Sequence, residues 1–279
     1  MHRIVVTGGS GKAGRATVAL LAAEGFQVRN VDRVPSPAGV PTLITDLTDY
    51  GATLAALHGF DAVVHLAADP RPDEDPVTGA ERFANNTLST FTVFQAAVQL
   101  GIPRVVWASS ETVYGVPFGS PGPARLPVRE EDPLAPRSAY AVSKVVTEEL
   151  ARRMAALHGI TLVGLRFSNI LDETDYRRSG SWQEDPRARW WNAWSYIDHR
   201  DVASSCLAAL RAPLTGAHEI TIAAADTAME RPSAELVREV FPGTELAPGT
   251  GPHETLLSIE RAQRLLGWTP RHSWRDERA

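Results

Sequence analysis

Ten residues near the start of the chain, Val5-Val6-Thr7-Gly8-Gly9-Ser10-Gly11-Lys12-Ala13-Gly14, limit what it can fold into more than any others. An apolar run beginning at Ile4 ends in glycines at 8, 11 and 14, and an Ala/Leu-rich run with helical spacing follows over residues 16–23. The pattern predicts a strand, a tight turn and a helix N-terminus. Glycines let the backbone turn sharply and let a phosphate reach the amides, while the helix start supplies unpaired N–H groups and the positive end of a dipole. A glycine-rich loop before a helix can also be a turn and nothing more. Gly11-Lys12 does not make a nucleoside triphosphate loop, which needs Ser or Thr after the lysine to hold magnesium, because Ala13 stands there. The next segment decides between these readings. Gln27-Val28-Arg29-Asn30-Val31-Asp32 reads as a second strand ending in a carboxylate about 20 residues past the glycines, where an adenosine ribose offers its hydroxyls. The expected occupant is a dinucleotide.

A chain of 279 residues has room for one α/β domain with a smaller appendage. Its net charge of −5 argues against a nucleic-acid partner held through phosphates. Cys206 is the single cysteine, so there is no intramolecular disulfide and no cysteine-rich zinc site, as fits a reducing cytoplasm. Met1-His2-Arg3 leads straight into a strand with no room for a signal peptide, and no apolar run reaches the roughly 18 residues of a membrane span. The expectation is a cytoplasmic protein with no membrane partner and no metal-spaced histidines.

Beyond the first unit, Thr42-Leu43-Ile44-Thr45 reads as a short strand before Asp46-Leu47. The Asp46 carboxylate is placed either to accept from an adenine amino group or to cap the helix expected over residues 50–57. Residues 62–68 form a buried strand whose end, Leu66-Ala67-Ala68, leaves space for a flat cofactor, and His65 within it reads as a core histidine. A loop over residues 69–76 leads to a helix expected over 81–100. The strand Arg104-Val105-Val106-Trp107-Ala108 then ends in Ser109-Ser110-Glu111-Thr112-Val113-Tyr114-Gly115. Polar residues crowding that end lie where open α/β sheets place their chemistry. After a proline-rich stretch over 117–136, Ser138-Ala139-Tyr140-Ala141-Val142-Ser143-Lys144 opens a helix to about His158. Tyr140 and Lys144 project from one helix face; an ammonium beside a phenol favours the phenolate, and such a tyrosine works as a base near neutral pH.

Together these segments resemble the extended short-chain dehydrogenase/reductase family, the NAD-dependent epimerase/dehydratase group, over nearly the whole chain. Thr7-Gly8-x-x-Gly11-x-x-Gly14 is similar to its nucleotide turn, with Ser10 and Lys12 inside it, and Asp32 to its ribose acid. Asp46-Leu47 and Leu66-Ala67-Ala68 match its adenine-side and cofactor-lining segments, and Asn86 the asparagine of its long helix. Ser109-Ser110, with Ala108 before them, and Tyr140-x-x-x-Lys144 match the catalytic strand and pair. Leu165-Arg166-Phe167-Ser168-Asn169, Asp201-Val202-Ala203 and Leu266-Gly267-Trp268-x-Pro270 match later motifs. The resemblance implies a Rossmann-type, doubly wound parallel α/β sheet in residues 1–168. Residues 169–279 would form mainly a small C-terminal α/β substrate lobe, some elements returning to the sheet.

The resemblance also implies roles. Tyr140 would take a hydroxyl proton as the carbon gives hydride to nicotinamide, Lys144 would lower the tyrosine pKa and hold the nicotinamide ribose, and Ser110 would hydrogen-bond the reacting oxygen. Gly8, Gly11, Gly14, Phe167, Ser168 and Asn169 would contact the cofactor with the other matched residues. NAD is expected, because Asp32 repels a 2′-phosphate, although Arg33 beside it leaves NADP open. A homodimer through the helices near residues 81–100 and 138–158 is implied as well.

Three branches of the family differ in chemistry. Dehydratases carry an Asp-Glu pair where this chain has Glu111-Thr112, so dehydration is disfavoured. Nucleotide-sugar 4-epimerases wrap a uridine diphosphate with a long segment, and here Asn169 to Asp201 is short. The third branch oxidises free sugars or sugar acids and includes uronate dehydrogenases. Trp194-Ser195-Tyr196-Ile197-Asp198-His199-Arg200-Asp201 and Ala208-Ala209-Leu210-Arg211-Ala212-Pro213 are similar to it. Where that branch grips a substrate carboxylate with arginine, this chain has Trp191, with Arg187 and Arg189 close by. Tryptophans 182, 190, 191 and 194 interleave with arginines, a composition that suits either a sugar face or packing between lobes or subunits. Substrate contacts are expected from Ser110, Glu111, Asn169, Arg187, Arg189 and Trp190. The leading expectation is an NAD-dependent oxidoreductase acting on a sugar or sugar-acid hydroxyl. The alternative is a 4-epimerase that keeps its NAD, and behind it stands a dinucleotide-sensing regulator, a class that lacks the Tyr-Lys pair.

Overall fold

Alternation along the first strand divides the molecule. In β1 (Arg3–Thr7), Val5 faces one hydrophobic layer and Ile4 and Val6 the other, as successive strand residues must. The computed structural model describes residues 1–71, 75–119 and 122–278; parts of the loops expected over 69–76 and 117–136 lie outside the described residues. Six further strands join β1: β2 (Gln27–Asp32), β3 (Thr42–Ile44), β4 (Ala62–His65), β5 (Arg104–Ser110), β6 (Thr161–Phe167) and β7 (Ala217–Ile222). They hydrogen-bond in the order β7-β6-β5-β4-β1-β2-β3, and every pair is parallel. A parallel sheet covered on both faces needs continuous apolar strands, and β4 and β6 are buried at every residue.

Helices α1 (Lys12–Ala23), α2 (Tyr50–Leu57), α3 (Pro76–Gln99), α4 (Ala139–His158) and α5 (His199–Arg211) cover the sheet. Val18 and Leu21 of α1 pack with Val202 and Cys206 of α5 on one face. Phe94 and Ala97 of α3 pack with Ala151 and Met154 of α4 on the other. Helix α3 starts earlier than its apolar spacing suggests, because Asp75 caps the N–H groups of Val77 and Thr78 and Pro76 takes the first helical position. Strand β4 ends at His65, and Leu66 to Ala68 leave the sheet as loop. The buried His65 ring is bonded to Thr7 at 2.7 Å and Thr90 at 3.2 Å, a core role.

Chain beyond β6 packs over one end of the sheet around Val113, Leu126, Trp194, Met229, Leu236 and Phe241. It includes helices Ser233–Val240 and Glu260–Leu266 and returns one strand, β7, to the sheet. The strand order reverses between β1 and β4, so the loops leaving their C-terminal ends diverge and open a crevice there.

Candidate active site

The crevice is a cleft of about 1180 Å³, more than a small ligand alone requires. One end is the glycine turn. Gly8 has φ +72°, and a Cβ there would lie 2.5 Å from the Ala67 nitrogen; one at Gly14 would lie 2.1 Å from the Gly8 oxygen. Those two glycines let the turn close. Gly11 differs, since a Cβ there would meet nothing nearer than the Gly8 oxygen at 3.4 Å. The fold has room for a Cβ at this position, which lines the cleft at the uncapped start of α1. Unpaired helix amides with no side chain in front of them fit a pyrophosphate.

Asp32 ends β2 in the cleft wall, its carboxylate accepting from the amides of Ser10 (3.0 Å), Arg33 (2.7 Å) and Val34 (3.3 Å). The Arg33 guanidinium donates to Asn85. Lys12 lines the cleft and is held by Asp175, with Asp172 at 3.7 Å. Leu47, Leu66, Ala67, Ala68, Ala108 and Phe167 complete the apolar wall.

Two residues expected at this end lie elsewhere. Asp46 is exposed, its carboxylate accepting from the Thr48 amide (2.9 Å) and hydroxyl (2.8 Å), which hold it below the usual carboxylate range. Asp49 caps α2 in its place, and Thr45 lines the cleft. Asn86 is buried outside the wall, gripping the backbone of Asp69 through its N–H (2.8 Å) and C=O (3.0 Å); Asn85 and Ser89 line the cleft instead.

At the other end, Ser110 closes β5 and Tyr140 and Lys144 stand on the first turns of α4, whose N-terminus Ser138 caps. The Ser110 oxygen accepts from the Thr112 amide (3.2 Å) and hydroxyl (3.0 Å). With its lone pairs engaged, the Ser110 proton is left to donate into the cleft. The Lys144 ammonium donates to the Ala108 carbonyl at 2.8 Å and stands 5.3 Å from the Tyr140 ring centre. Burial pulls Lys144 down to about 8. Burial also pushes Tyr140 up to about 12, against the lowering effect of its Ser110 hydrogen bond. The expectation that Lys144 lowers the tyrosine pKa is not met in this cleft: burial dominates at Tyr140, and the Lys144 ammonium donates to a carbonyl.

Beneath these residues lies a buried ion pair the sequence reading missed. Arg166 on β6 forks onto Glu148 of α4 at 2.9 and 2.8 Å, and Glu148 accepts from Ser109 of β5 at 2.6 Å. The same guanidinium donates to the Tyr114 oxygen at 2.9 Å. This ties β5 and α4, which carry the catalytic candidates, to β6.

Glu111 lies in the wall beside them, its carboxylate accepting from the Ser168 hydroxyl (2.6 Å) and the Asn192 amide (3.2 Å); burial pushes it up to about 7. Asn169 lines the cleft and accepts from Arg189 at 3.0 Å. Arg189 itself is sealed behind Asn169, between the rings of Trp182 and Trp191 at 4.7 and 5.6 Å. Arg187 is exposed outside the cleft, and Trp190 packs on Phe241 at 5.8 Å. Trp191 takes the wall position assigned to its neighbour. The two tryptophans sit on one short turn, Trp190–Asn192, which turns Trp190 onto Phe241 and leaves Trp191 to the cleft; Ala193 and Trp194 after it hold left-handed conformations, φ 52° and 57°. Asn192, the donor to Glu111, was also missed; an asparagine amid tryptophans carries no local signal. Among the described residues no group of three or more His, Cys, Asp or Glu is placed to hold a metal ion, and no helix is long and apolar enough to cross a membrane.

A parallel sheet with a nucleotide turn at its switch point, facing a Ser, Tyr and Lys across one cleft, is the frame of a dinucleotide-dependent enzyme. The model of the NAD dependent epimerase/dehydratase family matches residues 4–181, and the chain belongs to that family. The chain is 34% identical over 204 residues to an L-arabinose 1-dehydrogenase (NAD(P)(+)) of Haloferax volcanii, covering 68% of this chain and 77% of that protein. It is 31% identical over 186 residues to a UDP-glucose 4-epimerase of Azospirillum brasilense, 64% of this chain but only 52% of the relative's length. Among solved structures, a short-chain dehydrogenase/reductase superfamily protein from Agrobacterium tumefaciens with bound NAD superposes with a TM-score of 0.77 at 28% identity, covering 99% of this chain and 94% of that one.

Proposed function

We propose that this protein is an NAD-dependent oxidoreductase that oxidises a sugar or sugar-acid hydroxyl. The observation that carries the reading is the convergence of Ser110, Tyr140 and Lys144 on the cleft whose far end is the open turn at Gly11 and the Asp32 carboxylate. Asp32 and the diversion of Arg33 to Asn85 favour NAD over a 2′-phosphorylated cofactor. The two family relatives named for sugar substrates, and the NAD-bound solved structure, support the same class.

NAD, when bound, would supply the hydride acceptor. Tyr140 would act in its phenolate form, its own proton having first passed to solvent, and would then take the proton of the substrate hydroxyl as the carbon gives up hydride. Ser110, oriented by Thr112, donates to the reacting oxygen and holds it against Tyr140. Lys144, fixed by the Ala108 carbonyl, keeps ammonium protons for the nicotinamide ribose. Glu111 and Asn169 receive neighbouring sugar hydroxyls, and Trp191 offers an apolar face to the ring. In this reading residues 1–168 hold the cofactor, and 169–279 mainly the substrate.

Dehydrogenase is favoured over 4-epimerase because the segment between Asn169 and Asp201 is short and spent on packing: Arg189, Asn192 and Trp194 are buried in it. The test is incubation with NAD and aldoses, uronic acids or UDP-sugars. Accumulating NADH absorbance is expected with a free sugar; conversion of UDP-sugars alone, with no net NADH, would transfer the assignment to epimerase. A role in carbohydrate metabolism in the cytoplasm follows from this reading. We also propose a homodimer through α3 and α4, where Leu88, Phe91, Val142 and Val146 stand exposed. Sedimentation of wild type against Phe91→Glu tests it.

A further inference from the structure

Five cationic side chains line the cleft: Lys12, Arg33, Arg71, Arg137 and Lys144. Four of them are engaged, by Asp175, Asn85, Asp69 and the Ala108 carbonyl respectively. Arg137 is exposed and has no hydrogen-bond or ion-pair partner among the described residues. Yet its side chain is seated. A Cβ at Gly119 would lie 2.9 Å from its Nη1, so the absence of a side chain at that glycine leaves room for the guanidinium where it stands.

Its place gives that charge a meaning. Arg137 precedes the Ser138 cap of α4 and lines the cleft with Thr112, Val116, Pro117 and Tyr140, so it stands at the reacting end. The positive end of the α4 dipole adds to the same field. The Glu111 carboxyl, a hydrogen-bonding group for hydroxyls, lies in the wall of that end. A ligand with an anionic terminus is thereby oriented, its hydroxyls toward Glu111 and Asn169 and its anion toward Arg137. Arg189 offers no competing site, because it is sealed behind Asn169 and the Ser195 carbonyl.

We propose that Arg137 is a specificity-determining residue that binds an anionic oxo group, phosphate or carboxylate, carried by the sugar away from its reacting carbon. This rests on the reading of the site as one for a sugar hydroxyl and narrows the substrate to acidic sugars. A guanidinium fork reads either group through paired N–H donors.

The experiment uses the NAD-loaded protein with matched sets of glucose, galactose and mannose, their 6-phosphates and their hexuronates. NADH production gives KM and kcat, and calorimetry gives binding. The expected result is a lower KM for one acidic set than for its neutral partners, and an increase of that KM by about tenfold in Arg137→Gln. Neutral sugars change little, Arg137→Lys retains part of the preference, and Arg187→Gln, outside the cleft, has none of these effects. The acidic set that responds tells phosphate from carboxylate. Equal KM values for neutral and acidic sugars in the wild type, or an equal rise for both in Arg137→Gln, would overturn the proposal. If no sugar yields NADH, it is the oxidoreductase reading that fails, and calorimetry decides on Arg137 separately. Tighter binding of an acidic sugar that Arg137→Gln abolishes upholds its role; no such difference, or no binding, rejects it.

Discussion

At the glycine-turn end of the cleft, Gly8, Gly11, Gly14 and Asp32 lie in one β-α-β unit and present mostly backbone to the space in front of them. At the Tyr140 end, Ser110, Glu111, Tyr140, Ser168, Asn169 and Trp191 arrive from separate stretches of chain and present side chains. The first end is made by excluding atoms, since two of its glycines exist because a Cβ would collide. The second is made by burying polar groups and satisfying them, as with Glu148 and Arg166 below the site and Glu111 within it. One end should therefore break on the addition of a methyl group, and the other on the removal of a hydrogen-bond partner.

The sharpest separation of the two ends is Tyr140→Phe. Turnover should fall by about 10²–10⁴ while NAD affinity is retained, as measured by steady-state rates and fluorescence titration. A variant within a few-fold of wild-type turnover would remove Tyr140 from the chemistry. Next in size is Glu148→Ala, which strands the buried Arg166 guanidinium and should destabilise the fold by about 3–5 kcal/mol in urea titrations.

Glu111→Gln probes the polar end through pH. Its folded-state pKa lies above the ordinary value, rising from 4.5 to about 7, so the folded protein holds a proton the unfolded chain releases. That stabilisation is complete below pH 4.5 and is lost as pH rises through about 7. Glu111→Gln should flatten the fall and gain roughly 1–3 kcal/mol on wild type at pH 8. An unchanged slope between pH 5 and 8 would show the carboxyl to be titrating normally.

The smallest effects compare two glycines. Gly14→Ala forces a methyl against the Gly8 carbonyl and should cost about 1–3 kcal/mol of stability along with NAD binding. Gly11→Ala should leave the melting temperature nearly unchanged and weaken NAD about tenfold, the loss of roughly one charge-assisted contact. If both variants melt alike, the distinction between a fold glycine and a ligand glycine fails at this turn.

Legibility in the sequence follows the same division. The turn, Asp32 and the Tyr-Lys pair were readable because their partners are near in sequence and helix or strand periodicity carries direction from one residue to the next. Asp46, Asn86, Arg187, Arg189 and Trp190 are expected at the cleft from the sequence and lie off its wall, each beside or near a residue that lines it. For Trp190 the cause is packing on Phe241, a residue far away in sequence. For Asp46 and Asn86, local hydrogen bonds to Thr48 and to the Asp69 backbone claimed the side chain first. Asn192 and Arg137 carried no local signal at all.

Sequence alone determined the strand-turn-helix at the N-terminus, the parallel α/β architecture and the family, because each rests on steric and periodic constraints acting over a few residues. Tertiary structure alone decided that Arg189 is sealed while Arg137 has no partner among the described residues, and that burial raises Tyr140 and Glu111 rather than leaving them at ordinary values. Desolvation and charge pairing depend on which distant segments come together, and that is a property of the folded chain.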